Sequence, residues 1–317
     1  METIVGIDGI GSVNLDGLQS NDGAEGTVYF FGKTAIKIFH DPQTQTQKIE
    51  KLQQSLVQKK ARWDSLTKYV SAVQGLARQG GEICGYAMEA FPGWKSVGEI
   101  VSSAGPRGEN IGTARSLELL IRLHRAIYET HKFGHIIGDL NERNILAYVG
   151  ENKSDVRLID VDSFGMTING KTYLPDAIDQ DICHPDQQKA MTEGREVPFS
   201  QKYDWWAFAL LAASLLSGND PYVTGNYRQL SPIERLELRK TGWIFSTRND
   251  RQTWINTRRF GSKIRTILNY VLTKDVEGVF PVALLKEAYM NIMRCERCNL
   301  DFNREIVFCP NCSRSVA

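Results

Sequence analysis

No charge of one sign dominates this chain: 38 lysines and arginines face 37 aspartates and glutamates over 317 residues. A whole-chain electrostatic grip on nucleic acid or anionic lipid is therefore not expected, and only a local patch is left as a route to such ligands. Long apolar runs are also missing. The longest, WWAFALLAASLL at 205–216, is too short to span a bilayer and fits a buried helix. No basic residue precedes the apolar positions of the N-terminus, which carries Glu2 and Asp8, so a secretory signal is not expected. Internal repeats and low-complexity tracts are absent. What is there is the composition of a soluble globular protein, 42% hydrophobic and 24% charged, which argues against disorder, collagen and a coiled-coil rod. The length suggests two units, or one large bilobal fold with an appendage.

Residues 12–39 read as strands. Two apolar, β-branched runs, 27–31 and 34–39, flank a Gly32-Lys33 turn, the mark of a tight hairpin. After Asp41-Pro42, Ile49, Leu52, Leu56, Trp63 and Leu66 recur at helical spacing, so 43–70 is expected to be mostly helix. Residues 83–91 return to strand, and Pro92-Gly93 then marks a boundary. Beyond it, Leu117, Leu120, Ile121, His124, Ile127, Tyr128 and His131 form a helical stripe. A short hairpin is expected over 144–148 and 156–161, then an irregular segment to about 201, then helices to Met293. The coarse result is a small strand-rich lobe joined to a larger helical one.

Four polar features stand out. In NDGAEGTVYF, residues 21–30, Gly23 and Gly26 would let the backbone approach an anion, or would simply make a turn. Lys37 lies in the apolar strand TAIKIF and needs either a partner or a route to solvent. In IIGDLNERNIL, residues 136–146, Asp139 and Asn144 offer a carboxylate to accept a proton and an amide oxygen suited to Mg²⁺; the alternative is a polar turn with Asx caps. In VRLIDVDSF, residues 156–164, Asp160 and Asp162 follow a strand, where carboxylates either meet a hard cation or end the strand.

In this order, the set over residues 13–293 resembles the protein-kinase fold. The resemblance implies an α+β bilobal fold: an N-lobe over 1–91, a C-lobe over 92–293 and, as argued below, a zinc ribbon over 294–317. It implies ATP with Mg²⁺ or Mn²⁺ between the lobes. Gly23 and Gly26 match loop glycines and Val28 a valine packing on adenine, while Lys37 matches the lysine on the α- and β-phosphates. Glu50 is the expected ion-pair partner of Lys37. Met88 matches the gatekeeper, and the backbone from Glu89 to Phe91 the adenine hinge. Asp139 matches the catalytic aspartate, and Asn144 and Asp160 the metal ligands. Asp204 matches an aspartate that braces the catalytic loop, and Pro185-Asp186 the end of an activation segment. Ile137-Gly138, Asn141 and Val161-Asp162 depart from the family pattern: the arginine that anchors activation-loop phosphorylation and the loop lysine that steadies the γ-phosphate are both replaced. GDLNxRN with IDxDSF is more similar to a divergent bacterial and phage kinase-like group. Some members of that group are encoded beside PP2C-type phosphatases and von Willebrand A-domain proteins, which makes those the implied partners.

The tail carries the most specific local pattern. Cys295 and Cys298, then Cys309 and Cys312, form two Cys-x-x-Cys knuckles ten residues apart. Four thiolates would fill a tetrahedral Zn²⁺ shell, with the insert NLDFNREIVF forming a ribbon hairpin. In a chain with no export signal, that cluster argues for metal rather than disulfides, and a cytoplasmic protein is expected. Between Arg235 and Arg265, nine basic residues face two acids, interleaved with Trp243, Phe245, Trp254 and Phe260. Nucleic acid would use such a mixture, but a solvated helix face with its aromatics turned inward is the expected reading. The leading functional expectation is a Ser/Thr-type protein kinase acting on a protein hydroxyl. The alternatives are a pseudokinase or nucleotide-binding scaffold that recruits through the ribbon, and a small-molecule kinase.

Overall fold

A computed structural model of the chain describes residues 3–57, 63–103, 111–151, 153–179, 182–217, 230–231, 234, 259–274 and 276–315. Seven strands make one antiparallel sheet: β1 (Ile4–Ile7), β2 (Gly11–Asn14), β3 (Ser20–Asp22), β4 (Gly26–Phe31), β5 (Thr34–Phe39), β6 (Val73–Gln79) and β7 (Glu82–Glu89), in the order β2-β1-β6-β7-β5-β4-β3. The Gly32-Lys33 turn closes the expected β4–β5 hairpin, with Gly32 at φ 59°. β1 lies ahead of the expected strands and forms a hairpin with β2. Its Val5, Ile7 and Val13 pack with Ile36, Ala77 and Ala87 on one face of the sheet, so that face is covered rather than wet. β6 was also not expected, because a bulge between Val73 and Gly75 breaks its two-residue period.

The opposite face of the sheet looks toward the helical part. The β4–β5–β7 register places Val28 opposite Lys37 and Lys37 opposite Tyr86, and sets Ala35 opposite Met88. Because side chains alternate across a strand, these five share one face. Over it run helix α1 (Thr46–Val57) and the short α2 (Trp63–Leu66). The buried stripe of α1 is Lys48, Lys51, Leu52 and Ser55, spaced as one helical face. Two lysines on an inward face are unusual and point to fixed anions nearby.

The remaining elements are β8 (Lys95–Ser96), α3 (Val97–Ser103), α4 (Gly112–Lys132), β9 (Ile145–Val149), β10 (Ser154–Leu158), β11 (Met166–Ile168), β12 (Lys171–Tyr173), α5 (Pro185–Thr192), α6 (Gln201–Ser217), α7 (Ser262–Thr273), α8 (Val282–Met290), β13 (Ile292–Arg294) and β14 (Asp301–Asn303). From Asp204 to Ser217 α6 is buried and apolar on nearly every side, as the 205–216 run predicts. Among the described residues no helix is long and apolar enough to cross a membrane. Within the segment expected to be irregular, Asn169-Gly170 makes a two-residue turn, both at positive φ, between β11 and β12. His184 caps α5, and Pro185 opens it where its missing N–H costs nothing.

The tail hairpin differs in detail from expectation. β13 precedes the first knuckle and β14 follows it, so the pairing flanks Cys295 and Cys298 rather than lying within the insert. The bridge between Phe308 and Ser315 flanks the second knuckle likewise. Most of the basic stretch, 235–258, lies outside the described residues. At its described end Phe260 is fully buried and Arg259 nearly so.

Candidate active site

The loop from Ile137 to Asn144 is fixed from below by Asp204. Its Oδ2 accepts from the Ile137 N–H at 2.9 Å and from His131 Nε2 at 2.8 Å, and its Oδ1 accepts from the Gly138 N–H at 2.9 Å. Gly138 sits at φ 78°, and a Cβ there would overlap the Pro175 ring, which explains why no larger residue stands before Asp139. Asp139 then presents its carboxylate in a fixed orientation. Oδ2 accepts from Asn144 Nδ2 at 2.9 Å and Oδ1 from the Asp179 N–H at 3.0 Å. Asn141, at the position of the expected loop lysine, is buried, and its Oδ1 accepts from the N–H groups of Arg143 and Asn144. It caps the loop instead of facing outward. The Asn144 carbonyl accepts the Ile159 N–H at 3.0 Å, which ties this loop to the end of β10.

Asp160 follows β10 in the left-handed region, at φ 62° and ψ 42°. A non-glycine residue held there is characteristic of sites where side-chain placement outweighs backbone comfort. Lys37 Nζ lies 2.5 Å from Asp160 Oδ1 and 2.8 Å from Asp162 Oδ2, so residues 123 and 125 positions apart in sequence meet between β5 and the loop after β10. Asp162 is fully buried, and its other oxygen accepts from Tyr86 Oη at 2.5 Å. Burial pulls the Lys37 pKa down, but Asp162 and Asp160 more than offset this and hold it well above its ordinary value. Burial would raise Asp162, yet Lys37 and Lys48 keep it below the ordinary carboxylate range. Asp160 is raised, first by burial and then by the charge of Asp162, with Lys37 opposing. Burial and then Asp162 likewise hold the Tyr86 phenol well above its ordinary value.

Glu50 does not meet Lys37. Two residues along from Lys48, it falls off the inward stripe of α1, and its side chain is 43% exposed and bound to Lys171 Nζ at 2.7 Å and Tyr173 Oη at 3.0 Å. The buried anchor of Lys37 is Asp162. The sequence leaves Asp162 open between meeting a hard cation and ending a strand, and both of its oxygens are taken by protein donors. An exposed pair contributes little, whereas breaking a buried pair strands a charge. Glu50→Gln is therefore expected to leave stability nearly unchanged, and Asp162→Asn to cost about 3 kcal/mol or more, measured by urea unfolding. The reverse order would contradict this assignment.

Four further residues at the site carry no mark in the sequence: Glu25, Lys48, Asp176 and Lys51. Glu25, at the tip of the β3–β4 turn, and Lys48 pair at 2.5 Å, and Asp176 lies 3.4 Å from Lys48. Lys51 donates to the Phe164 carbonyl at 2.8 Å. Lys48 and Lys51 read in sequence as ordinary solvent-facing residues, and nothing local marks them otherwise. Burial lowers the Lys51 pKa to about 8, only partly opposed by Asp176 and Asp162. The folded value lies below the unfolded one, so burying the charged form costs stability below pH 8, and that cost is relieved as pH rises. The stability of the parent relative to Lys51→Met should therefore increase between about pH 8 and pH 10.5, by about 3 kcal/mol. A flat difference in denaturation experiments across that window would refute it.

Gly23 and Gly26 are explained by the hairpin. Gly23 N–H donates to the Gly26 carbonyl at 3.0 Å, and a Cβ at Gly26 would strike the Ile38 carbonyl of β5. Val28 is half-buried against the core and Met88 is buried beside it. At the expected hinge, the Glu89 carbonyl accepts from Ser71 Oγ at 2.9 Å, and the Ala90 N–H donates to Lys33 at 2.9 Å. The Phe91 ring tilts against Trp94 with its centroid 5.1 Å away.

In the tail, Cys295, Cys298, Cys309 and Cys312 place their sulfurs within 4.8 Å of one another, which fits a four-thiolate tetrahedral site. Backbone N–H groups of Cys298 and Arg297 aim at the Cys295 sulfur and draw its thiol below the ordinary value. The ribbon is docked on the helical part: Thr113 Oγ1 donates to the Asp301 carbonyl at 2.9 Å, and the Arg304 N–H to the Asn291 carbonyl at 2.8 Å.

Among solved structures, the chain is similar to a cysteine-to-alanine variant of the PknI kinase domain of Mycobacterium tuberculosis. The TM-score is 0.53 at 13% identity, covering 91% of this chain and 96% of that one. At this identity the likeness is one of fold. Neither a protein-family model nor a curated protein matches the sequence. The chain thus has a protein-kinase-like bilobal fold with a four-cysteine ribbon at its C-terminal end.

Proposed function

We propose that this protein is an ATP-dependent phosphotransferase of the Ser/Thr protein-kinase type, with residues 1–91 and 92–293 as its lobes and 294–317 as a structural zinc ribbon. The observation that carries the reading is the Lys37–Asp160–Asp162 cluster, which joins the sheet to the loop after β10 in a kinase-like frame. The donor set suits the expected ligands. Asp160 and Asn144 supply hard oxygen atoms for Mg²⁺ or Mn²⁺. Asn144 Nδ2 is tied to Asp139, so its Oδ1 would be the atom that meets the metal. When bound, MgATP supplies a transferable γ-phosphoryl group whose charge the metal partly neutralises.

The chain's own residues do the rest. Lys37 binds α- and β-phosphate oxygens, held in place by Asp162, which Tyr86 Oη fixes in turn. Val28, Ala35 and Met88 offer an apolar surface to a purine, and the backbone at Glu89 to Phe91 its polar edge. Asp139 orients the acceptor hydroxyl and takes its proton late, kept in register by Asn144 and Asp204. Phosphoryl transfer asks mainly for positioning and charge stabilisation, which such a fixed set provides. A protein acceptor is favoured because Asp179, in the long segment between Asp162 and Gln201, lies against Asp139, where such a segment could form a shelf for a peptide. A reducing cytoplasm suits the four thiolates.

Incubation with γ-labelled ATP and Mg²⁺ tests this. Label should pass to a protein acceptor with the parent and not with Asp139→Ala or Asp160→Ala. Nucleotide-dependent thermal stabilisation with no transfer would move the assignment to a nucleotide-binding scaffold, and transfer only to small molecules would move it to a small-molecule kinase.

A further inference from the structure

We propose that Lys48 is a second phosphate-binding lysine, and that the Glu25 carboxylate occupies the position of a phosphate group until a nucleotide displaces it. This rests on the phosphotransferase reading above. A lysine as buried as Lys48, at 2% exposed, requires a defined anion. Its Nζ lies 2.5 Å from Glu25 Oε2, and Lys37 Nζ lies 3.8 Å from that same oxygen. Two ammonium groups, one from a strand and one from a helix, therefore converge on a single oxygen atom at the tip of the β3–β4 turn. A point flanked by two cations in a partly desolvated cleft attracts any oxyanion that fits.

Glu25 is the member able to leave. Its side chain is 33% exposed and it sits on a turn, whereas Asp162, the deepest carboxylate, is sealed in and doubly bonded. A phosphate oxygen carries the same sign of charge and accepts the same donors. A site for such a cation is also vacated elsewhere. Asn141 replaces the loop lysine that would steady the terminal phosphate, and its amide oxygen is spent on the backbone of its own loop. Arg143, the next cation of that loop, is bound outward to Asp179 at 2.7 Å. Lys48 enters from the helix side instead, and its contact with Asp176 at 3.4 Å links the same point to the segment after the metal-binding aspartate. The Lys48 ammonium is kept charged: burial lowers its pKa, but Asp162 and Glu25 more than offset that.

Calorimetric titration of the full chain tests this without reference to turnover. The probes are adenosine and a non-hydrolysable ATP analogue with Mg²⁺, and the variants are Lys48→Met, Lys48→Arg and Glu25→Gln. Lys48→Met should weaken the triphosphate about tenfold or more while leaving adenosine within about twofold. Lys48→Arg should recover most of that loss. Glu25→Gln should bind the triphosphate more tightly than the parent, because the competing carboxylate is gone. If Glu25 and Lys48 form only a structural brace, Glu25→Gln would weaken binding alongside Lys48→Met, and that result would overturn the proposal even if Lys48→Met fails to fold. Unchanged triphosphate affinity in Lys48→Met would overturn it as well, while leaving the nucleotide site intact. A parent that binds neither probe would remove the phosphotransferase reading, and this inference with it.

Discussion

Asp139→Asn is expected to slow γ-phosphoryl transfer by about 10³-fold, the middle of the range for losing a positioned base. That corresponds to roughly 4 kcal/mol of barrier. The substitution keeps the shape, so the loop should stay folded: Asp204 still holds the N–H groups of Ile137 and Gly138. The amide can neither take the acceptor's proton nor carry the charge that Asn144 Nδ2 and the Asp179 N–H now orient. Nucleotide affinity should change by less than about threefold, since Asp139 is assigned to the acceptor and not to the phosphates. Single-turnover kinetics at saturating ATP separates the two quantities. A rate within about tenfold of the parent would remove Asp139 from the chemistry.

Removing the metal from the tail is expected to unfold residues 292–315 while the large sheet keeps its protection. The ribbon has almost no core of its own. Among the described residues Phe302 is the one buried hydrophobic side chain there besides Cys295 and Cys309, with Met293, Leu300 and Ile306 partly covering it. Two short β pairs add few hydrogen bonds. Metal binding by four thiolates contributes about 10 kcal/mol or more to folding such a module, which is why it should not survive chelation. Metal analysis should find about one Zn per chain. Hydrogen exchange before and after chelation should lose protection in β13 and β14 and, through the contacts at Thr113 and Asn291, loosen the start of α4 and the end of α8. A ribbon that keeps its protection after complete metal removal would show that the cysteines play another part.

How far the sequence could lead depended on whether the signal was local. The β4–β5 hairpin was legible because a glycine turn joins two β-branched runs, and α6 because its apolar run is continuous. The cysteine spacing carried its meaning within eighteen residues. By contrast, a bulge hides β6, and the Asn169-Gly170 turn joins strands of only three residues each, too short to stand out by alternation. The site split along the same line. Lys37, Asp139, Asn144 and Asp160 are recognisable by type and order. The partner of Lys37 is not, because ion pairing depends on which helix face turns inward. Glu50 is the only glutamate on α1, yet the stripe of Lys48, Lys51, Leu52 and Ser55 leaves it outside, and the carboxylate comes from Asp162, 125 residues away. Glu25 and Lys48 could be paired only after the turn and the helix had been brought together in space.

A crystal structure with a non-hydrolysable ATP analogue and Mn²⁺, with the metal located by its anomalous signal, addresses the central claim most directly. The expected result is a manganese ion bound by Asp160 and Asn144, with the triphosphate on Lys37 between the lobes. A metal that touches neither residue, or a nucleotide bound away from Lys37, would contradict it.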